Sequence, residues 1–296
     1  TATYGDAPIQ LTATTNSSAQ IRYESSDAKV ATVENNMLTI VGAGRCYITA
    51  YASGDNNFYD GTPVQQEFVV KKADQEITFP SVTNKVYGDA VFELGASSNR
   101  DLPITYVSSS STIVSISGTT ASIRGAGSVT ITAKQAGNNN YNEAEAKIEV
   151  FIGKANLTAK AVDTERYYGD MNPTFEIEYI GFVNGDSEGE LNEVPIATSA
   201  ATRMSNIGEY DIIINEVTDA NYLITNQNGI LSVKKSPLNV IADNVSKVYG
   251  EKNPTLTVSY EGFKNNETEA ELLNKPSVST TAKAMSDVGE YPITAE

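Results

Sequence analysis

A chain of 296 residues with a formal charge of −16, no His and no Trp narrows the options at the outset. An acidic surface repels phosphate backbones and anionic membranes, so neither nucleic acid nor lipid headgroups are expected partners. Without His, the usual general base at neutral pH, the commonest zinc ligand and the usual triad partner are all missing.

The chain opens on Thr1-Ala2-Thr3, without the basic start and apolar stretch of a signal peptide. The tripeptide Tyr4-Gly5-Asp6 follows and returns as Tyr87-Gly88-Asp89, Tyr168-Gly169-Asp170 and Tyr249-Gly250-Glu251, at intervals of 83, 81 and 81 residues. A second position keeps the same step: Cys46, Val129, Tyr210 and Tyr291 each sit two residues after a Gly. Two markers with one period define a tandem array, and this period is too long for a solenoid unit. The expected domains are therefore residues 1–72, 73–153, 154–235 and 236–296. At about 80 residues each core is small, because such a module buries only about 60% of its unfolded surface.

Strand signals dominate. In the second copy they are Gln75–Phe79, Ile104–Val107, Val129–Ala133 and Ala146–Phe151, separated by Gly, Asn, Asp and Ser clusters. The first two copies align without a gap across their centres, Ile21–Ser26 on Ile104–Ser109 and Gly42–Gly44 on Gly125–Gly127. Short strands without a helix-length periodic segment predict an antiparallel β-sandwich. Cys46 alternates with Ile48 on the inward face of one strand, which makes it a buried structural thiol. A single Cys rules out an intrachain disulfide.

The run from Tyr23 to Ala50 resembles the group-2 bacterial immunoglobulin-like domain. It carries Ser25-Ser26-Asp27, Val30-Ala31-Thr32-Val33, Gly42-Ala43-Gly44 and Ile48-Thr49-Ala50. The second copy keeps Ser108-Ser109, Gly125-Ala126-Gly127 and Ile131-Thr132-Ala133, with Val114-Ser115-Ile116 between.

Copies three and four differ. Asn172-Pro173-Thr174-Phe175 and Asn253-Pro254-Thr255-Leu256 open a strand reaching Gly181-Phe182 and Gly262-Phe263. Acidic runs follow, Asp186–Leu191 and Glu267–Leu272, which fit one or two helical turns because acids complement a helix N-terminus. This half resembles the MBG repeat in its Tyr-Gly-x form. The resemblance implies a β-grasp-like, mostly antiparallel sheet with one short helix in each of residues 154–235 and 236–296. Two-residue junctions at Lys71-Lys72, Gly153-Lys154 and Lys234-Lys235 favour a semi-rigid, elongated rod.

The candidate sites each have a structural reading. Tyr-Gly-Asp reads as a turn between the first two strands rather than a recognition tripeptide. The loops Gly54–Asp60 and Gly137–Glu143 cluster oxygens as calcium sites do, yet their spacing fits no defined loop and Asn-rich turns need no metal. The acids Asp186, Glu188, Glu190 and Glu267, Glu269, Glu271 read as solvated helix starts. No Gly-x-Ser-x-Gly, phosphate loop or dinucleotide fingerprint is present. No catalytic, cofactor-binding or metal residue is assigned, and no cofactor is expected. An intramolecular Lys–Asn or Lys–Asp bond would show in the intact mass. The sequons at Asn16, Asn156, Asn244 and Asn266 read as chance.

The leading expectation is a non-enzymatic stalk in a large bacterial cell-surface or secreted protein, spacing an adhesive or catalytic domain from the envelope. One alternative is modules that bind a host glycoprotein or mucin, as related adhesin modules do, with Phe58, Tyr59 and Tyr222 as candidate aromatics. Another is accessory modules of a surface polysaccharide-processing enzyme. Partners are then an extracellular protein or glycan at most, without membrane insertion. Copies two to four carry about 14 residues before the Tyr-Gly turn and the first copy carries three. Tyr291 is followed by five residues where Tyr210 is followed by 25 to Lys235. The segment is therefore expected to be cut from a longer array, with unpaired edges at both ends that invite strand contacts between chains.

Overall fold

The computed structural model describes residues 1–296. The chain divides into two compact units, Thr1–Lys154 and Ala155–Glu296. Apart from two single 3-10 turns, all regular structure is β.

In the first unit the gapless sequence alignment becomes two sandwiches of one design. The first copy has a four-stranded sheet in the spatial order Ala2–Thr3, Val64–Lys71, Gly44–Ala52, Ile21–Ser25. Facing it is a three-stranded sheet of Ile9–Gln10, Met37–Ile40 and Ala31–Glu34. Alternation along Gly44–Ala52 sends Cys46 and Ile48 inward. They join Val30, Ala31, Leu38 and Val70 in the core. The second copy repeats both sheets around Leu94, Val114, Val129, Ile131 and Ile152. It adds one pairing, Ile77–Thr78 against Ser97–Ser98, for which the first copy has no counterpart.

The Tyr-Gly turn has one geometry throughout. Asp6 donates its N–H to Thr3 O at 3.0 Å, Asp89 to Val86 O at 3.0 Å, Asp170 to Tyr167 O at 3.2 Å and Glu251 to Val248 O at 3.1 Å. The glycines lie at φ 93°, 96°, 82° and 88°, the region that favours Gly. Asp6 and Asp89 also accept from the N–H of Thr3 and Val86 at 2.7 and 2.9 Å. In the first two copies the turn follows a short edge strand, Ala2–Thr3 or Lys85–Val86; in the second copy Ile77–Thr78 comes earlier still, so the turn lies between the second and third strands there and not the first two.

In the second unit the third copy forms two sheets, where the β-grasp resemblance implied a mostly antiparallel sheet with one short helix. One is Ile177–Ile180, Ala155–Ala161, Tyr222–Gln227; the other is Thr164–Tyr167, Gly229–Lys234, Gly208–Ile214, Ala197–Ser199. Ala159 and Ala161 from the first and Ile212, Leu231 and Val233 from the second share one core. The helical runs reduce to the 3-10 turns Glu188–Glu190 and Glu269–Glu271. Neither turn buries a residue, so no apolar face is available to extend it into a packed helix.

The fourth copy pairs Asn239–Ala242 with Val258–Glu261 and Val278–Thr280 with Ile293–Ala295. None of residues 236–296 is buried. Its Ile293 aligns with Ile212, which is 0% exposed. The difference follows from topology. In the third copy Ile212 shares a core with Ala159 and Ala161 of the facing sheet and with Leu231 and Val233 of its own, whereas the two strand pairs of the fourth copy bury no residue.

Candidate functional site: the joints between copies

Within each unit the Tyr-Gly turn of one copy meets the next copy, and these joints are where the repeated motif carries chemistry. In the first unit the Tyr4 ring stands edge-on to Tyr141, 5.4 Å between centroids at 88°. Arg100 caps the same Tyr141 ring at 5.2 Å. Beside it Asn140 Oδ1 accepts from the Ala43 N–H at 3.0 Å, which ties the Gly42-Ala43-Gly44 turn to the second copy. An edge-on aromatic pair is worth about 0.5–1.5 kcal/mol beyond its buried area.

In the second unit the same turn meets charged groups. The Tyr168 hydroxyl donates to Glu267 Oε1 at 2.6 Å, and Lys264 Nζ lies 2.9 Å from Asp170 Oδ1. Arg203 Nε donates to Asn265 Oδ1 at 3.1 Å. The buried Gly169 touches Lys264 so closely that an added Cβ would lie 2.3 Å from Lys264 Cβ. The Lys264–Asp170 pair is more than a third exposed on both sides, so it contributes at most about 1 kcal/mol.

The sequence-derived candidates distribute around these joints. Asn140 and Tyr141, from one loop considered for calcium, serve the first joint, and Glu267, from one acidic run, serves the second. The remaining loop oxygens cap their own turns: Asp55 Oδ1 accepts from the N–H of Asn57 and Phe58, and Asp60 Oδ1 from Gly54. Glu190 and Glu271 reach back to the backbone N–H and hydroxyl of Ser187 and Thr268. Their carboxyls are held below the ordinary range, Glu190 mainly by the Ser187 hydroxyl and Glu271 mainly by the Thr268 backbone. No group of three or more acidic or Cys side chains is arranged to hold a metal.

Of the aromatic candidates, Tyr222 is corrected. It is 2% exposed, packs edge-on against Phe182 and donates to Asp186 at 2.7 Å, so it is a core residue and cannot meet a ligand. Phe58 and Tyr59 are exposed, at 57% and 101%. Cys46 is 1% exposed.

One set of functional side chains escaped the sequence reading. Arg166, two residues before Tyr168, is buried and donates to Asn172 Oδ1 and to the carbonyls of Tyr167 and Thr202 at 2.6–3.1 Å. Lys247, at the matching place, donates to the carbonyls of Glu251, Lys283 and Ala284. A cation two residues before the Tyr-Gly pair, with Lys85 as a third instance, was the available signal.

Two segments of the chain match one family. The MBG domain (YGX type) matches residues 157–232 and again residues 238–296. Both matches span a Tyr-Gly turn, Tyr168-Gly169 and Tyr249-Gly250. Residues 1–156 lie outside both. No curated protein matches the chain. Similar solved structures include Drosophila N-cadherin EC1-4, at 10% identity and TM-score 0.27, over 74% of this chain and 67% of that one. They also include domains 4–9 of the surface layer protein SbsC, at 14% identity and TM-score 0.22, over 80% and 42%. Immunoglobulin domains 1–4 of Sidekick-1 match at 12% identity and TM-score 0.21, over 94% and 80%. No helix is long and apolar enough to cross a membrane.

Proposed function

We propose that this chain is a non-enzymatic spacer from an extracellular bacterial surface protein, built of four modules joined end to end. The joint geometry is the observation that carries the reading. In each unit the first of its two Tyr-Gly turns, at Tyr4 and at Tyr168, contacts the following copy through side chains specific to that joint. An array whose recurrent motif is spent on orienting neighbours is organised to transmit position rather than to transform a substrate. The resemblances support the same reading: both are to modules found in tandem on bacterial surfaces. Its work is to hold an attached adhesive or catalytic domain away from the envelope.

Small-angle scattering on the whole chain tests this. From strand rises near 3.3 Å per residue, four modules at roughly 30–40 Å each extend about 120–160 Å. A rod of that length has a radius of gyration of about 35–45 Å, against about 19 Å for a compact domain of equal length. A value near the lower figure overturns the spacer.

A further inference from the structure

The third copy holds a groove of about 650 Å³ bounded entirely by its own residues. Phe175, Ile177 and Tyr179 are half-buried along it, and Val194 and Ile196 stand exposed at its margin. It is lined from both sheets of the sandwich, by residues of or next to Ile177–Ile180 and Ala197–Ser199, and each of these is the end strand of its sheet. Both edges are unpaired. Glu176 O accepts from the Val162 N–H at 2.9 Å, and Ile196 O accepts from the Asn215 N–H at 3.1 Å. Along an antiparallel pair, successive residues point their backbone groups alternately toward the partner and away from it. Ile177 and Tyr179 therefore turn theirs away from Ala155–Ala161, and Ala197 and Ser199 turn theirs away from Gly208–Ile214.

The residues that set this groove apart are not those of its sibling. Glu176, Val194 and Ile196 align with Thr257, Lys275 and Ser277 of the fourth copy. Ile213, on the outer face of the same sheet and diagonal to Ile196, aligns with Thr294. Val194 is 48% exposed and Ile196 64%, so the third copy shows water an aliphatic margin where the fourth has polar groups. The acids differ as well. Glu269 of the fourth copy pairs with Lys275 at 3.5 Å, whereas its counterpart Glu188 has Val194 in place of the lysine. Neither Glu188 nor Glu176 takes part in an ion pair. The Tyr179 hydroxyl is enclosed and makes no hydrogen bond. Burial raises its pKa and the Glu188 charge adds to the rise, so the field of that acid reaches the groove.

We propose that this groove docks an extended, lysine-bearing segment of another polypeptide, which joins the Ile177–Ile180 edge by β-augmentation. The occupant alternates branched aliphatic residues with lysines. Side chains of an added strand point to opposite faces in turn, so one set covers Ile177 and Tyr179 while the other stands on the face of Glu176. Lysine is the group that this same chain sets beside Glu269, and it is the group that Glu188 lacks. The aliphatic margin of Val194 and Ile196 gives the segment apolar contact, as exposed apolar patches at interaction sites do. A second molecule of this chain is not the donor, because each carries a charge of −16. The groove includes none of the joint residues, so the spacer role stands whether or not the site is filled.

The test adds a short synthetic peptide of alternating Lys and Val to the full chain and follows amide exchange. The amides of Ile177 and Tyr179 should slow by about tenfold or more when paired. The same peptide with Glu for each Lys, or with Ser for each Val, should give no slowing. In the protein, Val194→Lys with Ile196→Ser installs the residues of the fourth copy and should remove binding, while the amide of buried Ile212 stays protected and reports an intact core. If that variant does not fold, the substituted peptides still decide. Absence of slowing at about millimolar peptide, an affinity that weak interfaces already reach, overturns the proposal. So does equal slowing by the acidic peptide, or full binding by the folded double variant. A glucosamine oligomer offers amines without a peptide backbone, and slowing by it but not by the peptide overturns the choice of a polypeptide. Slowing at Ile177 that rises with protein concentration alone overturns the occupant in favour of a second copy.

Discussion

The Tyr168 hydroxyl donates to Glu267 at 2.6 Å, so the recurring turn of the third copy is held by the first acid of the fourth copy's acidic run. The equivalent turn of the first copy uses the Tyr4 ring instead, against Tyr141. One motif thus supports two kinds of joint, apolar and hydrogen-bonded in the first unit, charged in the second. The two should respond differently to salt, since screening weakens exposed ion pairs and leaves ring packing intact. Raising salt from about 0.05 to 1 M should increase amide exchange around Gly169 and Lys264 and leave the Asn140 region unchanged. Equal responses at both joints would remove the distinction.

Gly169 is required twice, by a φ of 82° and by Lys264 on the side where a Cβ would project. Gly250 shares the φ but faces open space. Gly169→Ala should therefore cost about 1–3 kcal/mol from the backbone alone, and the new methyl should also push Lys264 off the turn. Gly250→Ala should show the backbone effect only. Urea unfolding of the two variants, with exchange at Lys264 as the joint readout, checks this; identical profiles would contradict the close approach.

Ile212 and Ile293 are the same position in two copies, one 0% exposed and the other only half-buried. Ile212→Ala should destabilise by about 2–5 kcal/mol, the range for a fully buried branched side chain. Ile293→Ala should cost well under that, and residues 236–296 should exchange their amides faster than the third copy. Comparable losses from the two substitutions would mean the fourth copy buries its core in solution.

Much of this was legible from residues. The Tyr-Gly period fixed the positions of four identical turns, and the alternation of Cys46 with Ile48 gave the inward face correctly. The joint partners were not legible, because Asn140 and Glu267 look like any solvated loop Asn or helix-start acid until the next copy's position is known. Tyr222 misled for a related reason. Its neighbours Asn221 and Leu223 gave no sign that Phe182 and Asp186, some 40 residues earlier, would enclose it. Acids opening a short run that ends in Leu fit a helix start, but a capping box closes a single turn without requiring a helix. Arg166 was overlooked since a lone cation usually marks a surface, whereas here carbonyls and Asn172 replace water around it.

Cys46, 1% exposed and paired across the sheet with Phe68, should resist thiol reagents in the native chain and react on unfolding. Cys46→Val, which installs the residue found at Val129, should cost less than about 1.5 kcal/mol. Rapid native labelling would place the strand one residue out of register, since such a slip reverses its faces.

The capping carboxylates give a pH dependence of definite sign. Glu190 and Glu271 accept from Ser187 and Thr268 more strongly when ionised, and those bonds hold both carboxyls below the ordinary range. A depressed carboxyl contributes stability that is present above its unfolded pKa and is lost as pH falls through the lower folded value. Both groups are on the surface, so the effect belongs to the turns and not to global stability. The Ser187 and Thr268 amides should stay protected through the range where free glutamates protonate and open only below it, once exchange is corrected for its intrinsic pH dependence. Glu190→Gln keeps an acceptor oxygen but cannot titrate, so protection at Ser187 should become flat with pH while Thr268 keeps its transition. A Ser187 amide whose protection grows on acidification, or a transition surviving in Glu190→Gln, would show that another group closes the turn.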